Sequence, residues 1–418
     1  MTGKKHIVVV GGGIIGLFSA YYLVKSGHRV TIVDKDDLSD GCSHGNAGMI
    51  VPSHVIPMAA PGMISQGMKW MFSSKSPFYV RPRMSSSLFN WGMKFYRSAS
   101  EEHVANSIPA LRDLSLLSKD LFQDLAAETK SFFYEEKGLL MLYCSDKMGH
   151  EEIETAKRAQ NAGLEVDFLS KEAVKSVETG VVTNAIGGVH YKSDAHVYPN
   201  KLMAYLKQSL TDGGVNWQLN TQVTGINKSG DRILSLKTSK GSIEGDEFVI
   251  AGGAWSPEIA KKIGMKLSIL PGKGYSFTLK NPAVRPVIPS ILCEGKVAVT
   301  PMGNDLRFGG TLEITHTNDS RIRQSRVQGI LETIHQFYPT MSIDPPVESD
   351  IWVGFRPCSP DGLPYIGKCN EASNLICATG HSMMGLSLGP ATGKLVEELI
   401  NDQVTSVGID RFSPTRKI

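Results

Sequence analysis

The strongest pattern of apolar and polar residues lies at the start of the chain. Ile7 to Val10 form an apolar run that predicts a buried parallel strand, and a glycine-rich turn follows it. Apolar residues at helical spacing predict a helix over Ile14 to Ser26, and Val30 to Val33 predict a second strand. These elements in this order predict a parallel β-α-β unit.

The turn of this unit has the spacing G-x-G-x-x-G, formed by Gly11, Gly13 and Gly16, and the second strand ends at Asp34. Such glycines allow a tight turn, close approach to a pyrophosphate and close packing of helix on strand. The backbone amides of Ile14 and Ile15 at the helix start can then bind the phosphates of a dinucleotide. The Asp34 carboxylate and Lys35 are expected to contact its ribose. The sequence predicts a dinucleotide site, and a glycine-rich turn without a ligand is the alternative.

The rest of the chain alternates between helical and strand patterns. Helices are predicted over Ser85 to Thr129, Lys147 to Ala162, Pro199 to Thr211 and Ser320 to Tyr338. Strands are predicted over Phe132 to Ser145, in a meander over Thr221 to Phe248, and in an antiparallel sheet over Pro271 to Leu312. The fold class is therefore α/β with an additional α+β part.

A second dense run of small residues follows the β-α-β unit at positions 41–50. Backbone in such a run can approach a flat ligand, and Ser43 and Asn46 can form hydrogen bonds with it. An ordinary surface turn is the alternative. His44 is a candidate base, but a single loop histidine more often has a structural role.

Composition narrows the classes of function. The 418 residues suggest two or three domains, and a net charge of +3 without a basic block gives no indication of a nucleic-acid partner. The six cysteines lack metal-site spacing and fit free thiols in a reducing compartment. Four glycines interrupt the first apolar run, which excludes a signal peptide, and no run is long enough to span a bilayer. We expect a cytoplasmic protein.

A methionine-rich, proline-broken segment over Val55 to Phe72 allows two interpretations. It could cover a ligand pocket, or it could bind peripherally to the inner face of the cytoplasmic membrane. Packing against the core is the simpler alternative, and the sequence does not decide among them.

Motifs at both ends of the chain resemble a known family. The run from Trp352 to Gly367 closely resembles the W-x-G-x-R-P-x-x-x-D-G-x-P-x-I-G run of glycine oxidase and D-amino-acid dehydrogenases. Leu375 to Gly393 resembles the closing segment of the same proteins, and the N-A-G at 46–48 is most similar to bacterial D-amino-acid dehydrogenases. The chain thus resembles the superfamily of D-amino-acid oxidase and glycine oxidase over nearly its whole length.

The resemblance implies a fold and a cofactor. It implies noncovalently bound FAD in a Rossmann-like domain, formed by residues 1–62, 166–265 and 349–418, with a discontinuous antiparallel-sheet substrate domain formed by 63–165 and 266–348. FAD contacts are expected at Gly11, Gly13, Ile14, Ile15, Gly16, Asp34, Lys35, Ser43, Asn46, Ala47, Gly48, Met49, Val223, Ala251, Gly252, Trp255, Gly380, His381, Met383, Met384, Gly385 and Leu386.

The resemblance also implies which side chains act on the substrate. Arg356 stands at the family's carboxylate-binding position, where a guanidinium fork would hold the substrate carboxylate. Tyr275 is the candidate for a second hydrogen bond to that carboxylate, with simple packing as the alternative, and His381 is a candidate catalytic residue, with support of its own turn as the alternative. Met383 stands where glycine oxidase has an arginine; Met383 and Met384 could shape an apolar pocket for the substrate side chain, and packing in the core is the alternative.

The expected reaction is the oxidation of a D-amino or D-imino acid, such as D-proline or hydroxy-D-proline, by hydride transfer from the α-carbon to flavin N5. A quinone or another respiratory acceptor would then take the electrons. One alternative is a glycine or sarcosine type of oxidase that reduces O₂ to H₂O₂. A second is a noncatalytic flavin-binding subunit of an electron-transfer complex. The sequence leaves the oligomeric state open.

Overall fold

The computed structural model describes residues 3–63, 67, 76–81 and 85–418. The strands, numbered in chain order, are β1 (His6–Val10), β2 (Arg29–Val33), β3 (Met49–Ile50), β4 (Phe78–Val80), β5 (Tyr134–Glu135), β6 (Leu139–Tyr143), β7 (Val166–Ser170), β8 (Gly187–Tyr191), β9 (Ala195–Val197), β10 (Asn216–Gln218), β11 (Val223–Ser229), β12 (Arg232–Thr238), β13 (Gly241–Glu244), β14 (Glu247–Ile250), β15 (Leu270–Leu279), β16 (Ser290–Leu292), β17 (Val297–Met302), β18 (Asp305–Ile314), β19 (Trp352–Cys358), β20 (Tyr365–Lys368) and β21 (Leu375–Thr379).

The helices connect these strands and cover the sheets. They are α1 (Ile14–Lys25), α2 (Ser86–Ser98), α3 (Glu101–Glu128), α4 (Asp146–Asn161), α5 (Lys171–Val177), α6 (Pro199–Asp212), α7 (Ser256–Ile263), α8 (Gln324–Phe337) and α9 (Gly389–Ile400), with short 3₁₀ turns at Gly253–Trp255, Glu348–Asp350 and Asp410–Phe412. In the part of the chain that the structure describes, no helix has the length and apolar character needed to cross a membrane.

The first sheet has the order β10-β2-β1-β14-β21-β20 in the described residues, and every pair is parallel except β20 with β21. Helices α1, α6 and α9 pack on one face, where Leu17, Leu206 and Val396 belong to one buried cluster. The meander β11-β12-β13 packs against the other face. Because parallel strands end at the same edge, the loops after β1, β2 and β14 lie together at that edge.

The second sheet has the order β19-β15-β18-β17-β16-β6-β8-β7 in the described residues, with β4 beside β18. Helix α8 packs on one face, where Ile330 and Ile334 lie in one cluster with Phe277 and Phe308. The pairs of β15, β17, β18 and β19 are antiparallel as expected, but β16 with β6 and β18 with β4 are parallel. Parallel pairing is possible here because these partners come from distant parts of the chain.

Two details correct the sequence-based expectations. Strand β8 pairs with β6 and β7 pairs with β8, so the boundary expected between 165 and 166 falls inside the second sheet, and β19 likewise belongs to this sheet. The helix predicted from Ser320 begins only at Gln324. The preceding loop is held by Asp319, whose carboxylate accepts a hydrogen bond from Thr315 Oγ1 and pairs with Arg81. The division into domains stays a prediction.

Candidate active site

A cavity of about 1020 Å³ lies between the two sheets. Its wall combines the loops after β1, β2 and β14 with β15, β18 and β19 of the second sheet. The predicted site residues that border it are Gly11, Gly13, Ile14, Ile15, Asp34, Lys35, Ser43, Asn46, Ala47, Met49, Val223, Ala251, Gly252, Trp255, Tyr275, Arg356, His381, Met383, Met384, Gly385 and Leu386. Gly16, Gly48 and Gly380 do not border it. The structure therefore brings most of the predicted site together.

The glycine turn has the geometry expected of a phosphate cradle. Gly11 has φ +113°, and a Cβ on it would lie 2.5 Å from the carbonyl oxygen of Ala251. A Cβ on Gly16 would lie 1.8 Å from the carbonyl oxygen of Gly11, so close packing of α1 on β1 requires glycine there. Helix α1, which is described throughout, has no acidic residue in its first turn and no side-chain cap from Gly13. Its N-terminus can therefore receive an anion.

Asp34 joins the end of β2 to this turn. Its Oδ2 accepts a hydrogen bond from Gly12 N at 2.6 Å, and its Oδ1 accepts one from Asp36 N at 2.9 Å. The neighbouring Lys35 places its Nζ 4.4 Å from the centre of the Trp255 ring. A carboxylate oxygen can accept more than one hydrogen bond, so the Asp34 side chain can hold the turn and also a ribose hydroxyl.

The loop at 43–48 closes over the start of α1. Ser43 Oγ accepts a hydrogen bond from Ile14 N at 3.0 Å, which leaves its hydroxyl hydrogen available to a phosphate. Asn46 Oδ1 accepts one from Gly48 N at 2.8 Å, so its side chain stabilises the loop. His44 borders the cavity, and burial lowers its pKa.

Arg307 fixes this loop and was not found from the sequence. Its Nη1 donates to the carbonyl oxygens of His44 at 2.7 Å and Asn46 at 2.8 Å, and its Nη2 donates to Asn200 Oδ1 at 3.0 Å. The side chain is buried, and burial lowers its pKa to about 10. An arginine between the apolar residues Leu306 and Phe308 of β18 was the signal that could have found it.

Arg356 projects from β19 onto the cavity side of the second sheet. A Cβ on Gly274 of the neighbouring β15 would lie 2.1 Å from Arg356 Nη1, so the guanidinium lies flat across that glycine. Nη1 donates to the carbonyl oxygen of Thr311 at 2.7 Å, and burial lowers the pKa of Arg356. No carboxylate among the described residues forms an ion pair with it. A half-buried guanidinium with free donors can bind a carboxylate ligand.

Tyr275 does not fit its predicted role. Alternate residues of a strand face opposite sides, and Tyr275 lies beside Lys273, on the face away from Arg356. Its hydroxyl donates to the carbonyl oxygen of Arg321 at 3.4 Å and accepts from Arg323 N at 3.3 Å. The hydroxyl is therefore not available to a carboxylate held by Arg356, and this expectation was wrong.

The segment after β21 forms part of the cavity wall and lies beside the end of β19. The backbone N–H of Ser382 donates to the carbonyl oxygen of Pro357, and that of Met384 donates to the carbonyl oxygen of His381. Helix α9 begins at Gly389, after this turn. Met383 is 51% exposed, whereas Met384 packs against the apolar core beside β6. Met383 is therefore the methionine that can face a substrate.

His381 is fixed by the core rather than free to transfer protons. Its Nε2 is 2.9 Å from Thr392 Oγ1 of α9, and burial lowers its pKa to about 3. The ring stays neutral, which supports the structural role over the catalytic one.

The pH dependence of stability can test this view of His381. An unfolded histidine has a pKa near 6.5, so between about pH 6.5 and 3 the unfolded chain binds a proton that folded His381 does not. The free energy of unfolding should therefore fall as the pH is lowered through this range, by up to about 1.4 kcal/mol per pH unit for one site. His54 and His196 also lower the free energy of unfolding as the pH falls, since burial lowers the pKa of each to about 4.

We therefore compare a variant with the wild type. His381→Gln can keep a hydrogen bond to Thr392 but has no titrating ring, so denaturant unfolding at about pH 7 and 5 should show a smaller loss of stability in the variant. An equal loss in both proteins would mean that His381 is not held neutral.

The cysteines and possible metal ligands add no further chemistry. All six cysteines are free, and Cys358 is fully buried with its Sγ directed to the carbonyl oxygen of Arg356. Among the residues that the structure describes, no group of histidine, cysteine and carboxylate side chains could hold a metal ion. The wall instead has a glycine cradle, a helix start without an acidic residue in its first turn, and two sheets around a volume suited to a long, flat dinucleotide such as FAD.

The comparisons with known proteins agree with this site. The family model described as FAD dependent oxidoreductase matches residues 6–399. A D-amino acid dehydrogenase of Helicobacter pylori is 30% identical over 408 residues, covering 97% of each chain. One of Granulibacter bethesdensis is 29% identical over 407 residues, covering 95% of this chain and 96% of its own.

Solved structures show the same architecture. Glycine oxidase from Geobacillus kaustophilus matches with a TM-score of 0.78 and 25% identity, covering 100% of both chains. L-proline dehydrogenase from P. horikoshii matches with a TM-score of 0.76 and 21% identity, covering 100% of this chain and 98% of its own. At this identity the match shows a shared fold and nothing about the substrate. Since the family model covers nearly the whole sequence, the chain belongs to the family of FAD dependent oxidoreductases.

Proposed function

We propose that this protein is an FAD-dependent dehydrogenase that oxidises a D-amino or D-imino acid to the corresponding imine. The observation that carries the proposal is Arg356, a guanidinium at the cavity wall with one backbone partner and no acidic one among the described residues. A bidentate pair with a substrate carboxylate would satisfy its remaining donors. The names of the curated relatives support the choice of D-amino acids.

FAD, when bound, accepts the hydride that leaves the α-carbon. In the proposal the loop at 11–16, with Ser43 and Asp34, holds the pyrophosphate and the ribose, while Ala251, Gly252 and Trp255 border the adenosine end. Arg356 orients the α-carbon, and Met383 forms part of an apolar pocket for the substrate side chain. Fixed orientation of this kind can supply a large part of the rate enhancement.

An anaerobic absorbance experiment tests the proposal. The FAD-loaded protein is mixed with a panel of D-amino, L-amino, cyclic imino and N-methyl acids, and loss of the oxidised flavin absorbance is followed. Bleaching by D-amino or D-imino acids, and not by their L-enantiomers, is the expected result. No bleaching by any member would refute the enzyme and favour a noncatalytic flavin-binding subunit.

An oxidase is the second candidate, because glycine oxidase is among the solved structures with the same fold. The two activities share the step that reduces the flavin and differ in what reoxidises it. We propose a quinone or another respiratory acceptor. Mixing reduced protein with air-saturated buffer separates the candidates: slow reoxidation without peroxide is expected, and rapid reoxidation with peroxide would establish the oxidase.

A weak peripheral membrane contact through Val55 to Phe72 is also proposed. Residues 64–66 and 68–72 of this segment lie outside the described residues. Later in the chain, Phe89 and Tyr96 of α2 are 68% and 66% exposed and add apolar surface that could take part in such a contact. Flotation with anionic liposomes tests the contact, and absence of binding at every lipid composition would remove it.

The position of Asp34 predicts an effect on cofactor retention. Asp34→Ala removes the acceptor for Gly12 N and for a ribose hydroxyl, so both the turn and the ligand lose a hydrogen bond. We expect a lower flavin-to-protein ratio after desalting, with the substrate preference unchanged. Asp37→Ala is the matched control, because Asp37 is exposed and bonds only within its own loop. Equal retention in both variants would count against the assignment.

A further inference from the structure

A chain of hydrogen bonds leads from the cavity wall to a buried carboxylate. His54 borders the cavity, and its Nδ1 lies 3.0 Å from Ser53 Oγ. Ser53 Oγ lies 2.5 Å from Oδ2 of Asp194, which is fully buried. The backbone N–H of Ser53 also donates to Asp194 Oδ1 at 3.1 Å. The three side chains thus form one continuous path.

The fold fixes this path from two separate segments. Strand β3 pairs with β9 so that Ile50 lies opposite Ala195, and this register places the residues after β3 beside the turn that contains Asp194. Val51 and Val55, on either side of Ser53 and His54, are buried in the cluster that Met384 joins. His54 is therefore held at the part of the cavity near Met384.

The outer end of the path is free. His54 Nε2 has no hydrogen-bond partner among the described residues, although the ring borders the cavity. Ser53 has one hydroxyl hydrogen, which it donates to Asp194 when that group is a carboxylate, and it then accepts from Nδ1–H of His54. In this tautomer Nε2 carries the lone pair and can accept a proton from a ligand.

We propose that His54, Ser53 and Asp194 form a proton relay that takes the proton from the substrate ammonium group. The inference rests on the proposed amino-acid oxidation, which requires a neutral amine before hydride leaves the α-carbon. The substrate N–H proton passes to His54 Nε2, the Nδ1 proton passes to Ser53 Oγ, and the Ser53 hydroxyl proton passes to Asp194 Oδ2. The N–H bond breaks without a net charge on the imidazole, and Asp194 holds the proton until product leaves.

The charges around the path agree with this direction of transfer. Burial raises the pKa of Asp194 to about 7 against the opposing effects of the two hydrogen bonds from Ser53 and of Lys119, whereas burial and Lys296 lower the pKa of His54 to about 4. The Asp194 carboxyl group can thus hold a proton that the His54 imidazole cannot retain. Buried Tyr191 also faces Asp194, and burial raises its pKa so that it stays neutral.

The pH dependence of anaerobic flavin reduction tests the relay. Ser53→Ala, Asp194→Asn and His54→Gln each interrupt the path at a different atom. At neutral pH each should slow reduction by on the order of a hundredfold, the usual contribution of a positioned general base. Above the pKa of the substrate ammonium the amine is already neutral, so the rates should approach that of the wild type. Loss by the same factor at every pH would show a structural role and overturn the relay.

Ser193→Ala is the matched control. Ser193 precedes Asp194 and has a buried hydroxyl without a hydrogen-bond partner among the described residues. This variant should keep the pH profile of the wild type. If the wild-type flavin is not bleached by any amino or imino acid, the proposed function fails; if it is bleached while the variants keep parallel pH profiles, only the relay fails.

Infrared difference spectroscopy gives a readout that needs no turnover. An α,α-dialkyl amino acid has no α-hydrogen, so it can bind and lose its ammonium proton but cannot be oxidised. Its binding to the wild type should produce a protonated-carboxyl band that is absent from Asp194→Asn and from Ser53→Ala. No such band in the wild type, with binding established by calorimetry, would overturn the proposal.

Discussion

Replacing Arg356 by alanine is expected to lower kcat/KM for the amino acid by about a hundredfold or more. Loss of a charge-assisted pair with a buried carboxylate costs on the order of 3 kcal/mol, and the α-hydrogen also loses its alignment. Arg356→Lys should recover only part of the activity, because an ammonium group cannot reproduce the bidentate fork. Anaerobic reduction rates and the flavin-to-protein ratio are measured on one preparation.

The alternative for Arg356 is a structural role through its hydrogen bond to the Thr311 carbonyl. A structural role predicts that Arg356→Ala binds little flavin and that the fraction which remains folded and flavin-loaded has normal kinetics. Arg321→Ala provides the control, because its side chain is 72% exposed. Near-normal reduction in a well-loaded Arg356→Ala variant would remove this residue from the substrate site.

Replacing Arg307 by methionine should release FAD and lower the unfolding temperature by several degrees. Methionine fills much of the same volume but cannot donate to the carbonyl oxygens of His44 and Asn46, and each buried acceptor left unsatisfied costs about 1 to 3 kcal/mol. The loop that carries Ser43 would then lose its fixed position beside α1. Flavin content after gel filtration and thermal unfolding with and without added FAD measure both effects.

Arg232→Met is the matched control for Arg307. Arg232 is exposed and donates to the carbonyl oxygen of Asp246, far from the loop at 43–48 along the chain. Its replacement should change neither flavin content nor unfolding temperature appreciably. If Arg307→Met lowers the unfolding temperature but keeps full flavin content, Arg307 stabilises the sheet and does not position the loop.

Local patterns in the sequence identified the dinucleotide half of the site. Gly11 and Gly16 occupy positions where a side chain would collide with backbone, and Asp34 ends the strand that follows. Their roles depend on neighbours within one β-α-β unit, so residue spacing was sufficient to find them. Arg356 was found through the resemblance of the run from Trp352 to Gly367, and spacing alone does not identify it.

The tertiary structure decided what depends on the pairing of distant strands. Tyr275 and Gly274 are adjacent in sequence, but the pleat of β15 directs the tyrosine hydroxyl to the loop at 321–323 and leaves the glycine beneath Arg356. Arg307 reaches the loop at 43–48 across more than 250 residues of chain.

The sequence by itself therefore determined the β-α-β cradle and the family, and it pointed to Arg356 as the candidate for a substrate carboxylate, because each of these signals lies in contiguous residues. Only the tertiary structure joined Ser53 to Asp194, which are 141 positions apart, because their contact follows from the register of β3 on β9. A single sequence carries periodicity along the chain but not the register between strands, so contacts of this kind require the folded structure.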